Sequence, residues 1–183
     1  EVLAPIRERM VEDVEKILAR DDAPFNFNRG NIQQDPPPFP PFLSRQVLCN
    51  DIVISITRSI LGRGLKNGMY SGNTALPRST GRQPVHADEG QLWPNLNAAH
   101  PAYALVVNVL PVDVSPENGS TEIWPGTHLD TSVVIQDGDI KVPEAKLAEQ
   151  RKINPGFQYS ARAGSVVIRD MRMWHAGMPN TTG

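Results

Sequence analysis

Apolar residues recur at helical spacing near the start of the chain and at strand spacing after it. In residues 5–20, Ile6, Met10, Val14, Ile17 and Leu18 share one face with charges opposite, which predicts an amphipathic helix packed outside a sheet. Pro5 suits the first turn of that helix. Residues 21–43 carry no period. Within them, Asp35-Pro36-Pro37-Pro38-Phe39-Pro40-Pro41 reads as a rigid extended connector in preference to a PxxP-type ligand. Ser44 is a plausible N-cap for a second helix over about 45–61, with Val47, Leu48, Val53, Ile56, Ile60 and Leu61 on its apolar face. The run Ile52-Val53-Ile54 would also suit a strand, and Gly62 and Gly64 end the element. From Leu65 the pattern changes to short extended segments parted by Gly, Pro and Asn. Strands are predicted near 66–74, 83–88, 103–110, 120–124, 157–160 and 165–170, with a last one or a bend at 172–176. Residues 129–156 interrupt the rhythm as a long insertion holding a short helix at 143–150. Helices followed by a run of short strands predict an α+β, mainly β domain, an antiparallel sandwich or barrel.

Composition narrows the possibilities. At 183 residues, a single domain over 1–183 is expected. Hydrophobic residues make up 39% and charged residues 21%, enough for a real core. A formal net charge of −2 with no basic block argues against nucleic acid or an anionic membrane as partner. No apolar run is long enough to span a membrane. The sole cysteine, Cys49, precludes an internal disulfide and a thiolate zinc site. Its apolar helical surroundings predict burial. A lone cysteine fits a reducing compartment, and with no signal peptide visible a cytoplasmic location is expected. Oligomeric state stays open.

Candidate chemistry centres on Gln83–Trp93, QPVHADEGQLW. His86 and Asp88 are two apart, so on an extended strand they project from the same face, as cis ligands of one metal ion would. A polar strand end is the plain alternative. Three more histidines could complete a site. His100 lies in a loop before Pro101 and is expected to face solvent. His128 ends the turn WPGTH and would brace it. His175 follows the strand pattern Gly164–Ile168, which places its imidazole at a strand end. Two histidines and one carboxylate with open positions are the ligand set of non-haem Fe(II) oxygenases, and catalytic zinc can use the same three groups.

His86-Ala87-Asp88, then Asn118-Gly119-Ser120-Thr121-Glu122-Ile123-Trp124-Pro125-Gly126-Thr127-His128, then Ala163–Ile168 leading to His175-Ala176-Gly177 together resemble the phytanoyl-CoA dioxygenase-like family over about residues 44–183. The resemblance implies a double-stranded β-helix, a cupin-like jelly roll, over 65–183, with the helical segment and Pro-rich connector of 1–64 outside it. It implies Fe(II) held by His86, Asp88 and His175, with 2-oxoglutarate and O2 as cosubstrates. It implies cosubstrate contacts from Asn73 and Thr121, whose plain alternatives are a turn asparagine and an ordinary strand threonine. Relatives anchor the far carboxylate of 2-oxoglutarate on a basic residue, usually Arg, shortly past the second His. Arg169 and Arg172 precede His175 and do not match that position, so the parent protein is expected to continue and supply an Arg beyond Gly183. Related halogenases replace the metal-binding acid with a small residue, so Asp88 favours hydroxylation.

Trp93, Trp124, Trp174, Tyr103 and Met178 lie near the expected mouth in sequence, and Trp93 is the chosen pocket-lining residue. The expected activity is oxidation of a small organic substrate, chiefly hydroxylation, with release of succinate and CO2. A non-catalytic cupin-like small-molecule binder and a zinc hydrolase are the alternatives.

Overall fold

The computed structural model describes residues 2–93, 95–133, 135 and 140–183. Helix α1 (Leu3–Leu18) presents Ile6 to the interior and carries Asp13 between Arg9 and Lys16 on its outer side. The Gln34 side chain donates to Met10 O at 2.6 Å and ties this helix to the chain just past strand β1 (Asn31–Gln33). The predicted second helix is two pieces, α2 (Arg45–Leu48) and α3 (Asp51–Leu61). Asn50 causes the break: its backbone is extended, and its side-chain oxygen accepts from the N–H groups of Ile52 and Val53, capping α3. Cys49 falls at this joint and is exposed, which corrects the expectation of a buried thiol. Gly62, at φ 86°, closes α3 in a conformation that favours glycine.

The remaining strands are short. They are β2 (Asn73–Ala75), β3 (Leu105–Val109), β4 (Glu122–Ile123), β5 (Phe157–Gln158), β6 (Val166–Asp170) and β7 (His175–Ala176), with α4 (Glu144–Ile153) before β5. All pairings are antiparallel. β1 pairs β2, β3 pairs β6 from Leu105–Asp170 to Val109–Val166, and β4 lies between β5 and β7. The mixed composition with several antiparallel sheets agrees with the expected class. Some bounds differ. The segment predicted as a strand at 66–74 pairs only over 73–75, and the one at 83–88 contributes a single bridging residue, His86, which pairs with both Lys141 and His175. β1 was not expected, because three residues around the fully buried Ile32 are too few to display a period. The predicted helix of the 129–156 insertion is present as α4, while positions 134 and 136–139 lie outside the described residues. Among the described residues, no helix is long and apolar enough to cross a membrane.

The core beneath the site is built from Val85, Ala87, Trp124, Val133, Val142, Leu147, Trp174 and Ala176. Its composition explains the placement of the polar groups. Val85 and Ala87 point into it, so the alternate residues His86 and Asp88 share the opposite face. Trp174 and Ala176, on either side of His175, do the same and turn His175 to that face.

Candidate metal centre

His86 and His175 are joined through their backbones. Each donates its N–H to the other's carbonyl at 2.9 Å, the pattern of a directly opposed antiparallel pair. The 85–87 segment is held on its other side as well, by Val142 N–H to Val85 O at 2.9 Å and Ala87 N–H to Ile140 O at 3.1 Å. The next turn of the framework comes from Thr127, which is buried. Its hydroxyl donates to Trp124 O at 2.7 Å and accepts the Trp174 N–H at 2.9 Å. Trp124 N–H in turn donates to Trp174 O at 3.0 Å. The PGTH turn thus braces the residue immediately before His175. The His128 side chain makes no part of the cluster around Asp88.

The two imidazoles are oriented by the same local device. His86 Nδ1 donates to Pro84 O at 2.9 Å, and His175 Nδ1 donates to Met173 O at 3.0 Å. A carbonyl can only accept, so Nδ1 carries the proton on each neutral ring and Nε2 carries a lone pair. Both Nε2 atoms face Asp88 Oδ1, at 3.9 Å from His86 and 3.5 Å from His175. One ligand atom from each of the three residues lies within 4.8 Å of the others, close enough to hold one metal ion. The rings are 4.2 Å apart between centroids, and Phe27 covers the outer face of His86 at 4.7 Å.

Electrostatics favour the metal-ready protonation states. Burial lowers both imidazoles below their ordinary range, that of His175 further, with Arg169 adding to the effect. Burial opposes ionisation of Asp88, but the Arg169 guanidinium, by its charge and its hydrogen bond, holds the carboxyl below its ordinary value. Neutral nitrogen lone pairs beside a carboxylate fit a borderline divalent cation such as Fe(II) or Zn(II). Hydrogen bonds from the far side of each ring are what such ligands require to hold their aim.

Residues 1–183 match the family model for phytanoyl-CoA dioxygenase (PhyH). The chain belongs to the phytanoyl-CoA dioxygenase family. Solved structures share the fold of this PhyH member at low identity. AviO1 from Streptomyces viridochromogenes Tue57 is 20% identical with a TM-score of 0.61, over 100% of this chain and 77% of its own. The non-heme alpha ketoglutarate dependent carbocyclase SnoK from nogalamycin biosynthesis is 21% identical with a TM-score of 0.66, over 98% of this chain and 69% of its own. EctD from S. alaskensis, solved with 2-oxoglutarate and 5-hydroxyectoine, is 16% identical with a TM-score of 0.58, over 99% of this chain and 63% of its own.

The other residues singled out from the sequence of the PhyH member fall around this centre at different depths. Thr121 precedes β4 and neighbours the phenol of Tyr159, a half-buried group raised above its ordinary range by burial. Asn73 lies on β2, where its side chain is exposed and accepts from Asn26 Nδ2 at 2.8 Å; Asn26 adjoins Phe27, the residue against His86. Trp93 is 55% exposed, edge-on to His100 at 5.2 Å, and lines an open hollow of about 460 Å³ with Leu92, Asn95 and Leu96. Trp124 and Trp174 are core residues. His100 is half-buried, a correction to the solvent-facing expectation: it accepts from Leu92 N–H and packs on Tyr103.

Two arginines that sequence reading set aside prove central. Arg172 is buried, paired bidentately with Asp170, and bonded to Gln91 Oε1 at 2.7 Å and His100 O at 3.1 Å, so it staples the loop after Asp88 to the chain before His175. Arg169 donates to Asp88 Oδ2 at 2.6 Å. The signal for Arg169 was present in the chain: a cation that follows directly on the apolar run Val166-Val167-Ile168 of a strand.

Proposed function

We propose that this chain is an Fe(II)- and 2-oxoglutarate-dependent oxygenase that hydroxylates a small organic substrate, working as one jelly-roll domain with its N-terminal helices outside. The observation that carries the reading is the convergence of one ligand atom each from His86, Asp88 and His175 within 4.8 Å, on rings whose Nδ1 atoms are already committed to carbonyls. Membership of the phytanoyl-CoA dioxygenase family supports it, as does the fold shared with SnoK and with EctD, which was solved with 2-oxoglutarate.

In this reading His86, Asp88 and His175 hold the iron and leave the opposite side of the site open to ligands. Iron loaded with 2-oxoglutarate and O2 would supply oxidation of a C–H bond coupled to loss of CO2 and formation of succinate. The protein's own contribution is to fix the donor atoms, keep both imidazoles neutral and shield the site from water. Thr121 and Asn73 are assigned to the cosubstrate and Trp93 to the substrate wall. Thr121 is supported by its Tyr159 neighbour, on which the Arg169 charge also acts. An Asp at position 88 favours hydroxylation over halogen transfer, since it fills the place a halide would need.

The test is anaerobic titration of the full-length protein with Fe(II) and 2-oxoglutarate, followed by visible absorption, beside His86→Ala. A metal-to-cosubstrate charge-transfer band that is lost in the variant is the expected result. Iron binding without a band would refute 2-oxoglutarate as cosubstrate. Absence of iron binding would turn the assignment to a non-catalytic binder, and hydrolytic turnover with zinc in the absence of O2 would turn it to a hydrolase.

A further inference from the structure

Arg169 is a buried cation at the centre of the site, and the chemistry above leaves it without a task. It sits on β6 opposite Val106, 9% exposed, and its side chain enters the cluster from the strand that precedes β7. Nη2 donates to Asp88 Oδ2 at 2.6 Å and lies 3.3 Å from His175 Nε2. Asp88 therefore divides its oxygens: Oδ2 takes the guanidinium and Oδ1 faces the two Nε2 atoms. The other terminal nitrogen, Nη1, is buried and has no hydrogen-bond partner among the described residues. A guanidinium stays charged at any accessible pH, and a buried N–H of a charged group left unpaired is strongly unfavourable. Such a group in a functional site marks the place of a missing acceptor.

Geometry and charge select that acceptor. Nη1 is bonded to the same carbon as Nη2, which already touches two of the three metal-facing residues, so an acceptor for it would lie beside the metal-facing atoms. Arg169 also changes the charge balance. It cancels Asp88, so a divalent cation leaves the centre at a net charge of about +2, where a dianion is favoured over a neutral ligand. Of the two carboxylates of 2-oxoglutarate, only the one beside the keto group can lie at the metal.

We propose that Arg169 is a positioning residue whose Nη1 donates to the keto-adjacent carboxylate of the cosubstrate and thereby couples cosubstrate binding to metal binding. This rests on the oxygenase reading. The guanidinium opposes a cation bound alone and attracts the cation together with its dianion. The two ligands therefore bind cooperatively, and the coupling is reciprocal.

The experiment uses full-length protein, wild type, Arg169→Gln and Arg169→Lys, without O2. Fe(II) is titrated alone, and the iron-loaded protein is then titrated with 2-oxoglutarate or with pyruvate, which shares the keto-carboxylate end and lacks the far carboxylate. In Arg169→Gln, whose amide can still donate to Asp88 Oδ2, the affinity for Fe(II) alone is expected to be unchanged or tighter. The charge-transfer titration should show 2-oxoglutarate weakened about ten- to hundredfold, the loss of one charge-assisted hydrogen bond, and pyruvate weakened by the same factor. Arg169→Lys, which keeps the charge, should recover part of the loss. Unchanged 2-oxoglutarate affinity in the Gln variant overturns the proposal. So does a loss confined to 2-oxoglutarate, which would move the contact to the far carboxylate. Loss of Fe(II) binding in both variants also overturns it, by making Arg169 a scaffold residue. Absence of a band in the wild type refutes the oxygenase reading itself, and this inference with it.

Discussion

The metal-free protein should lose stability as pH falls from 7 to 5, and His175 should account for a defined share of that loss. Its side chain is 8% exposed and held well below the ordinary value of 6.5, by burial first and by Arg169 second. The folded state therefore keeps the ring neutral where the unfolded chain takes up a proton. With the unfolded state binding more protons, stability rises with pH, so it must fall as pH drops below 6.5 and stop falling only when the folded ring protonates. For a group protonating at 6.5 in the unfolded chain and staying neutral when folded, the loss between pH 7 and pH 5 is about 2 kcal/mol. That figure is insensitive to the folded value provided it lies well under 5. Asp88 does not contribute in this window, because its stabilising ionisation is lost only below its unfolded value of 3.8. The assay is urea unfolding in the presence of a chelator at the two pH values, for wild type and His175→Asn, whose amide can still donate to Met173 O. The drop in the variant should be smaller by about 2 kcal/mol. Equal pH dependence in both proteins would refute the claim that the folded site holds His175 neutral.

Asp88→Ala removes the partner of the buried Arg169 and should destabilise the metal-free protein by about 3 kcal/mol, the lower end for breaking a buried pair, because Asp88 retains some water. Adding Arg169→Met should return most of that loss in the same unfolding assay, and failure to do so would show that the pair is not what Asp88 contributes. Thr127→Val deletes a hydroxyl that both donates to Trp124 O and accepts from Trp174 N–H, so thermal or urea unfolding should report a loss of about 2 kcal/mol, with Thr127→Ser near wild type.

What could be read from the sequence was whatever depends on local order. Helical spacing marked α1, Ser44 and Gly62 carried their cap chemistry openly, and the alternation Val85, His86, Ala87, Asp88 placed imidazole and carboxylate on one face before any partner was known. What could not be read depends on distant partners. The thiol of Cys49 is exposed because Asn50 breaks the helix beside it, and a β-branched run downstream concealed the break. His100 is half-buried because Arg172, far along the chain, holds its carbonyl. Arg169 precedes His175 and does not match the position of a far-carboxylate anchor, and its contact with Asp88 spans 81 residues of chain, so no local pattern announces it.

The two histidines acquire their geometry without help from an ion. Each ring is aimed by a hydrogen bond to a carbonyl two residues earlier, an interaction available because residues two apart lie on the same side of an extended chain. The two backbones then exchange both of their hydrogen bonds, which fixes the separation of the rings. Neither device involves Asp88 or the open face of the site. The carboxylate is held separately, by Arg169 on Oδ2, so the third ligand has its own support and its own charge compensation. A metal binding here would meet donors whose ordering entropy was spent during folding, unlike a site that assembles around its ion. The same separation explains why one arginine can bear on ligand charge without setting where the imidazoles sit: His86 and His175 are positioned by the sheet, and Asp88 is the one member of the triad positioned by a charge.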